Sequence, residues 1–222
     1  MQLEDYLRGD DRIVLPIGST EQHAYLSLGT DCILSERVSL EAAEPLGVPV
    51  LPVLPFGLTP RFVSYPGTVS LRIESLLGVV TDILESISNQ GFRRILIVNG
   101  HGGNTGPLNG LAHWGSKHPE VRLRYHDWWD SARVMEIIRS IDPDGSHASW
   151  MENFPWTRLP DVELPPEPKQ MTSTYSLDPV EFRKIMGDGS FGGAYQHADE
   201  DMLRVWQAGV EEVLELLESG WS

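Results

Sequence analysis

Along the first half of the chain, short apolar runs alternate with stretches in which apolar residues recur every three or four positions. That rhythm predicts βαβ units around a mostly parallel sheet. Four runs read as strands: Arg12 to Ile17, Val50 to Leu54, Ile95 to Val98 and Val121 to Tyr125, each rich in Val, Ile or Leu and most bounded by Gly, Pro or Asn. Between them, Ile73, Leu76, Leu77, Val80, Ile83, Leu84 and Ile87 form one helical stripe that Gly91 terminates. Asp31 to Ala43 reads as another helix, Pro107 to Trp114 as a short one entered through Asn104-Thr105, and Asp199 to Leu217 as a long closing helix. From Pro155 to Pro168 five prolines and the loss of any period predict an extended surface loop, a lid or a passive connector. The pattern contains no internal repeat, and 222 residues fit one domain over 1–222.

Composition narrows the partners. Lys and Arg total 17 against 32 Asp and Glu, and a net charge of -15 repels nucleic acid and anionic membrane surfaces. The acidic runs, such as Asp199-Glu200-Asp201, read as solvated faces. The one cysteine, Cys32, excludes an internal disulfide and suits a reducing compartment; it reads as a small buried residue at a helix start rather than a nucleophile. The first eleven residues lack the basic region and apolar run of a signal peptide, and no apolar stretch is long enough to cross a bilayer. A cytoplasmic location is the expectation.

Three clusters carry candidate chemistry. Gly18-Ser19-Thr20-Glu21-Gln22-His23 follows the first strand, with Asp31 eight residues further on. Ligands of open α/β sheets bind at the carboxyl ends of strands, and a carboxylate with an imidazole is half of a metal sphere. Asn99-Gly100-His101-Gly102-Gly103-Asn104 follows a second strand, its glycines allowing a sharp turn that leaves the imidazole uncovered. The third is His147-Ala148-Ser149-Trp150-Met151-Glu152-Asn153; in a helix, His147 and Glu152 share a face only loosely. Of the other histidines, His113 and His118 read as surface helix residues, and His126 and His197 stay undecided.

Taken in order, Gly18 to His23, Leu28-Gly29-Thr30-Asp31, Tyr65-Pro66-Gly67-Thr68 and Asn99 to Asn104 resemble the motifs of the creatininase family. The resemblance runs from about residue 12 to Asn153, and on to the Gly187-Asp188 turn. It implies a three-layer α/β/α fold around a mostly parallel sheet, and a metal centre of one or two Zn, Mn or Fe ions that hydrolyses C–N bonds. It also implies a symmetric homo-oligomer, commonly a hexamer. Carried over by position, Glu21, His23, Asp31 and His101 are metal ligands, with Asp31 bridging, and Glu152 matches the family's further acidic ligand. Gly102-Gly103 stand where creatinine hydrolases carry Tyr-Glu, which argues against creatinine as substrate. Ser149 and Asn153-Phe154 also depart from the family's usual residues.

The expected function is therefore a metal-dependent hydrolase acting on a small cyclic amide or formamide. Hydrolytic opening of a sugar-derived cyclic ketone at a C–C bond and a non-catalytic metal- or ligand-binding homologue are the alternatives. His147 reads as proton donor to the leaving nitrogen or as the residue that orients Glu152. Trp150, Trp156 and Tyr65 are candidate pocket walls or simple core, and Gly102 and Gly103 complete the candidate substrate-binding set.

Overall fold

The computed structural model describes residues 2–221. Three parallel strands, β1 (Arg12–Ile17), β2 (Arg94–Asn99) and β3 (Arg122–Asp127), pair in the order β1-β2-β3, with Arg12 opposite Arg94 and Arg94 opposite Arg122. Successive side chains of a strand point to opposite faces, and here both faces are apolar. Ile13, Leu15, Ile95 and Ile97 meet α3 (Ile73–Asn89), α4 (Gly102–Leu108) and α5 (Leu111–Lys117). Val14, Leu96 and Val98 meet α2 (Thr30–Ala43), α6 (Ala132–Ile141) and α8 (Asp199–Ser219). The result is the three-layer α/β/α arrangement. Short helices α1 (Gln2–Tyr6) and α7 (Pro179–Met186) complete the set among the described residues.

Two expectations need correction. Val50 to Leu54 is not a strand, although it runs parallel to the free edge of β1, joined by Leu51 N–H to Val14 O at 2.9 Å and Leu54 N–H to Pro16 O at 3.0 Å. Pro49, Pro52 and Pro55 carry no N–H, so the ladder cannot become continuous. The helix expected to begin near Pro107 is two helices, α4 and α5, broken at Asn109-Gly110. It begins at Gly102, with His101 in an extended conformation before it. The 155–168 segment is an irregular loop, as its prolines predict.

The strands end in one direction, so the segments after β1, β2 and β3 converge. Asn104 locks two of them to the strap before α3: its Nδ2 donates to Gly18 O and Asn99 Oδ1, both at 3.1 Å, and its Oδ1 accepts from Leu58 N–H at 3.0 Å.

Candidate metal centre

Glu21 and His23 lie on the loop after β1, Asp31 on the first turn of α2, and His101 between β2 and α4. Glu152 ends a single 3-10 turn, Trp150–Glu152. The His147 segment is thus not helical: Ala148 takes a positive φ of 55°, and the sharp turn brings its N–H within 2.6 Å of Glu152 Oε2.

Their donor atoms form overlapping groups. Glu21, Asp31 and His101 offer atoms within 4.8 Å of one another, and so do His23, Asp31 and Glu152; Asp31 belongs to both. Asp31 Oδ1 is 3.0 Å from His23 Nε2, and Asp31 Oδ2 is 3.1 Å from His101 Nδ1. Glu21 Oε1 lies 3.4 Å from His101 Nδ1, and Glu152 Oε2 3.8 Å from His23 Nε2. A third group joins Glu21, His23 and His147, with His147 Nδ1 at 3.7 Å from Glu21 Oε1.

Backbone carbonyls set the ring orientations. His23 Nδ1 donates to Glu21 O, His101 Nε2 to Leu58 O and His147 Nε2 to Gln22 O, at 3.0, 3.0 and 3.1 Å. Each ring therefore presents its other nitrogen to the carboxylates, the arrangement by which proteins aim imidazoles at metal ions. His147 touches the backbone under Gln22 and not Glu152, whose carboxylate is held by Ala148 N–H.

Electrostatics show why a cation suits this place. Burial pushes Glu152 up to about 7, against the pull of His23, and raises Glu21 as well. Burial opposes charge on His23 and His101 too, but the facing carboxylates outweigh it and carry them up to about 10 and about 9. Burial also works to raise Asp31, yet His23 and His101 hold its carboxyl well below the usual range. His147, buried and beside His23, is pushed well below its ordinary value and stays neutral. Without a cation, the Asp31 carboxylate is balanced only by the protonated imidazoles of His23 and His101, while burial favours the neutral forms of Glu21 and Glu152. Asp31 Oδ2, although close to His101, receives no hydrogen bond of normal geometry. A buried, unsatisfied carboxylate oxygen flanked by oriented imidazoles fits a divalent ion of mixed N and O ligation.

Glu21, Asp31, His101 and Glu152 line a cavity of about 520 Å³, and His23, fully buried, does not reach it. Gly102 and Gly103 line it, as do His147 and Phe62. The expected aromatic walls are elsewhere. Trp150 is fully buried in the core against His197; Trp156 stacks on Phe154 beneath Arg37; Tyr65 is buried behind Phe62. None of the three lines the cavity. Its aromatic walls are Phe62, Phe191 and Trp129, with Met135 and Met151, which the sequence reading did not single out. Trp129 follows β3, so the strand-end rule applied to a third strand points to it. The Cys32 thiol contacts Ser19 O at 3.2 Å and does not line the cavity, and burial pushes it up to about 12, which disfavours the thiolate. His118 stacks on Trp114 and pairs with Glu85, and His197 pairs with Asp142, all outside the cavity.

Comparison with known proteins agrees with this architecture. A creatinine amidohydrolase from Pseudomonas putida is 29% identical over 62% of this chain and 57% of its own length. A 3-dehydro-scyllo-inosose hydrolase from Thermotoga maritima is 31% identical over 46% of this chain and 33% of its own. The chain thus matches little more than half of the first relative and a third of the second. A crystal structure of creatininase superposes with a TM-score of 0.79 at 22% identity, covering 100% of this chain and 96% of that one. Further creatininase structures of similar likeness are described as Zn-Zn type and as Mn. Residues 1–217 match the family model described as creatinine amidohydrolase, and the chain belongs to the creatininase family.

Proposed function

We propose that this chain is a metal-dependent hydrolase that cleaves a C–N bond of a small cyclic amide or formamide. The observation that carries the reading is the pair of donor groups sharing Asp31, Glu21/Asp31/His101 and His23/Asp31/Glu152, all but the buried His23 lining one cavity. Divalent ions bound there lower the pKa of water to roughly 7 and polarise a carbonyl oxygen. The chain does the rest. Glu21, His23, Asp31, His101 and Glu152 hold the ions, and Phe62, Phe191 and Met151 keep bulk water from the floor. His147, neutral at rest and with Nδ1 toward Glu21, takes the proton that the attacking water loses and passes it to the departing nitrogen. Thr59 Oγ1, buried on the same wall and close to the Glu21 carboxylate, is placed to hydrogen-bond the substrate.

A second reading, opening of a sugar-derived cyclic ketone, is favoured by the Thermotoga relative. Protein purified without chelator or affinity-tag nickel is expected to carry one or two equivalents of Zn, Mn or Fe, to lose turnover on chelation and to regain it on reloading. A screen of cyclic amides, formamides and cyclic ketones distinguishes the two readings. Full activity in stripped protein overturns both.

A further inference from the structure

We propose that Arg61 anchors a carboxylate carried by the substrate, so that the enzyme takes amides bearing an acid group in preference to neutral ones. This rests on the hydrolase reading for the reaction, but not for the binding. Arg61 lines the cavity that opens onto Glu21, Asp31 and Glu152. It is the only Lys or Arg on that wall; the other charged group there outside the metal cluster is Asp130.

Several arginines of this acidic chain are paired, and those without a partner among the described residues, Arg72, Arg122 and Arg139, are exposed, whereas Arg61 is half-buried. Arg94 pairs with Asp10 at 3.0 Å, Arg133 with Glu215 at 2.9 Å and Arg158 with Asp199 at 2.6 Å, and Arg183 donates to Ser64 O at 2.7 Å. Arg61 has no carboxylate or carbonyl partner among the described residues. Its guanidinium lies 5.1 Å from the Phe182 ring centroid, a contact that steadies the plane and leaves the N–H fork unpaired.

Its backbone is held firmly. Thr59 N–H bonds Ser70 Oγ at 2.9 Å, Pro60–Phe62 is a 3-10 turn, and buried Phe62 packs on the His147 ring at 4.9 Å. The start of the Arg61 side chain is thereby fixed beside the cavity. A single planar guanidinium matches one carboxylate with two parallel hydrogen bonds, whereas a phosphate dianion is ordinarily met by more than one cation. A substrate carboxylate paired with Arg61 keeps the rest of a small amide inside the cavity that Glu21, Asp31 and Glu152 line.

The test uses pairs differing only in charge: 5-oxoproline with 5-oxoprolinamide, and N-formylglycine with N-formylglycinamide. The phosphate ester of N-formylethanolamine is a third arm. Binding to the metal-loaded chain is followed by calorimetry, and turnover in parallel. At least one carboxylate member is expected to bind roughly 10- to 100-fold more tightly than its carboxamide, the range for hydrogen bonds between charged groups. Arg61→Gln is expected to abolish that preference, Arg61→Lys to keep part of it and Arg61→Glu to reverse it. Unchanged melting and metal content in the Gln and Lys variants show that the fold is intact. The proposal fails if acid and carboxamide bind alike, if Arg61→Gln keeps the preference, if no carboxylate binds, or if the phosphate ester binds best. An Arg61-dependent preference without metal-dependent turnover removes the hydrolase reading and leaves this one standing. Metal-dependent turnover with no preference does the opposite.

Discussion

Asp31 is the side chain on which both donor groups depend, one carboxylate oxygen facing His23 and the other His101. Glu152, by contrast, belongs to one group only. Asp31→Ala is therefore expected to remove more bound metal than Glu152→Ala or His101→Ala, read as metal stoichiometry across the variants. Equal losses from all three remove the bridging role. His147 poses a different question. Glu152 is held by Ala148 N–H rather than by the imidazole, so the steadying role weighed from sequence has no contact to act through. His147→Ala is accordingly expected to keep near-normal metal content and lose roughly 10²- to 10⁴-fold in turnover, the range of a positioned acid or base. A substrate whose leaving group needs no proton recovers much of that loss. Loss of metal instead makes His147 a ligand with Glu21 and His23. Normal metal and normal turnover make it structural.

At the scale of elements, the loop between β2 and α4 is built by what its glycines permit. A Cβ on Gly103 falls 2.1 Å from Leu58 O and 2.4 Å from His101 Nε2, the two atoms of the bond that orients the His101 ring. Gly103→Ala is expected to turn that ring and weaken metal binding by roughly 10- to 100-fold, as changes behind a ligand do. Gly106, in the same helix with nothing within 4 Å of its Cβ position, is the control. Gly106→Ala should keep metal, its gain from helix propensity offset by the restriction that Pro107 places on the residue before it. Unaltered metal affinity in Gly103→Ala refutes the argument.

Much of this was legible in the chain: three strands and the stripe on α3 follow from periodicity, and the site loops from strand ends bearing Glu, His and Gly. Helix α6 escaped although Ser131 caps it by accepting from Val134 N–H, and α7 although Asp178 and Pro179 mark its start. Both are short amphipathic turns outside the βαβ rhythm. The cavity wall was harder to read, because Trp150 and Trp129 differ in setting, not type. Trp150 belongs to a buried 3-10 turn, and Trp129 follows the buried Trp128 at the mouth of β3.

For the whole molecule, the candidate metal centre links stability to pH. In the metal-free chain His23 and His101 titrate well above the unfolded value of about 6.5, near about 10 and about 9. Their contribution is complete below that unfolded value and is lost as pH rises through the folded ones. Glu152, raised to about 7, works with the same sign, since its neutral form is the favoured one in the fold. Asp31, held low, has the opposite sign: its contribution is present above an unfolded value of about 3.9 and is lost on acidification. Metal-free protein should thus lose stability from about pH 6.5 to about pH 10 as His23 and His101 give up their protons, while His147, held well below its ordinary value, costs stability below about pH 6.5. Metal ligation needs unprotonated imidazoles, so its affinity rises over the same interval. The melting temperatures of loaded and stripped protein should diverge as pH increases. A metal at 100 times its Kd adds about 2.7 kcal/mol, and at about 2–4 °C per kcal/mol for a chain of this size the gap reaches roughly 5–11 °C. Asp31→Ala, which removes the partner of both imidazoles, should flatten the decline in stripped protein. A gap that narrows toward alkaline pH, or a stripped Asp31→Ala variant that declines as steeply as the parent, contradicts this linkage.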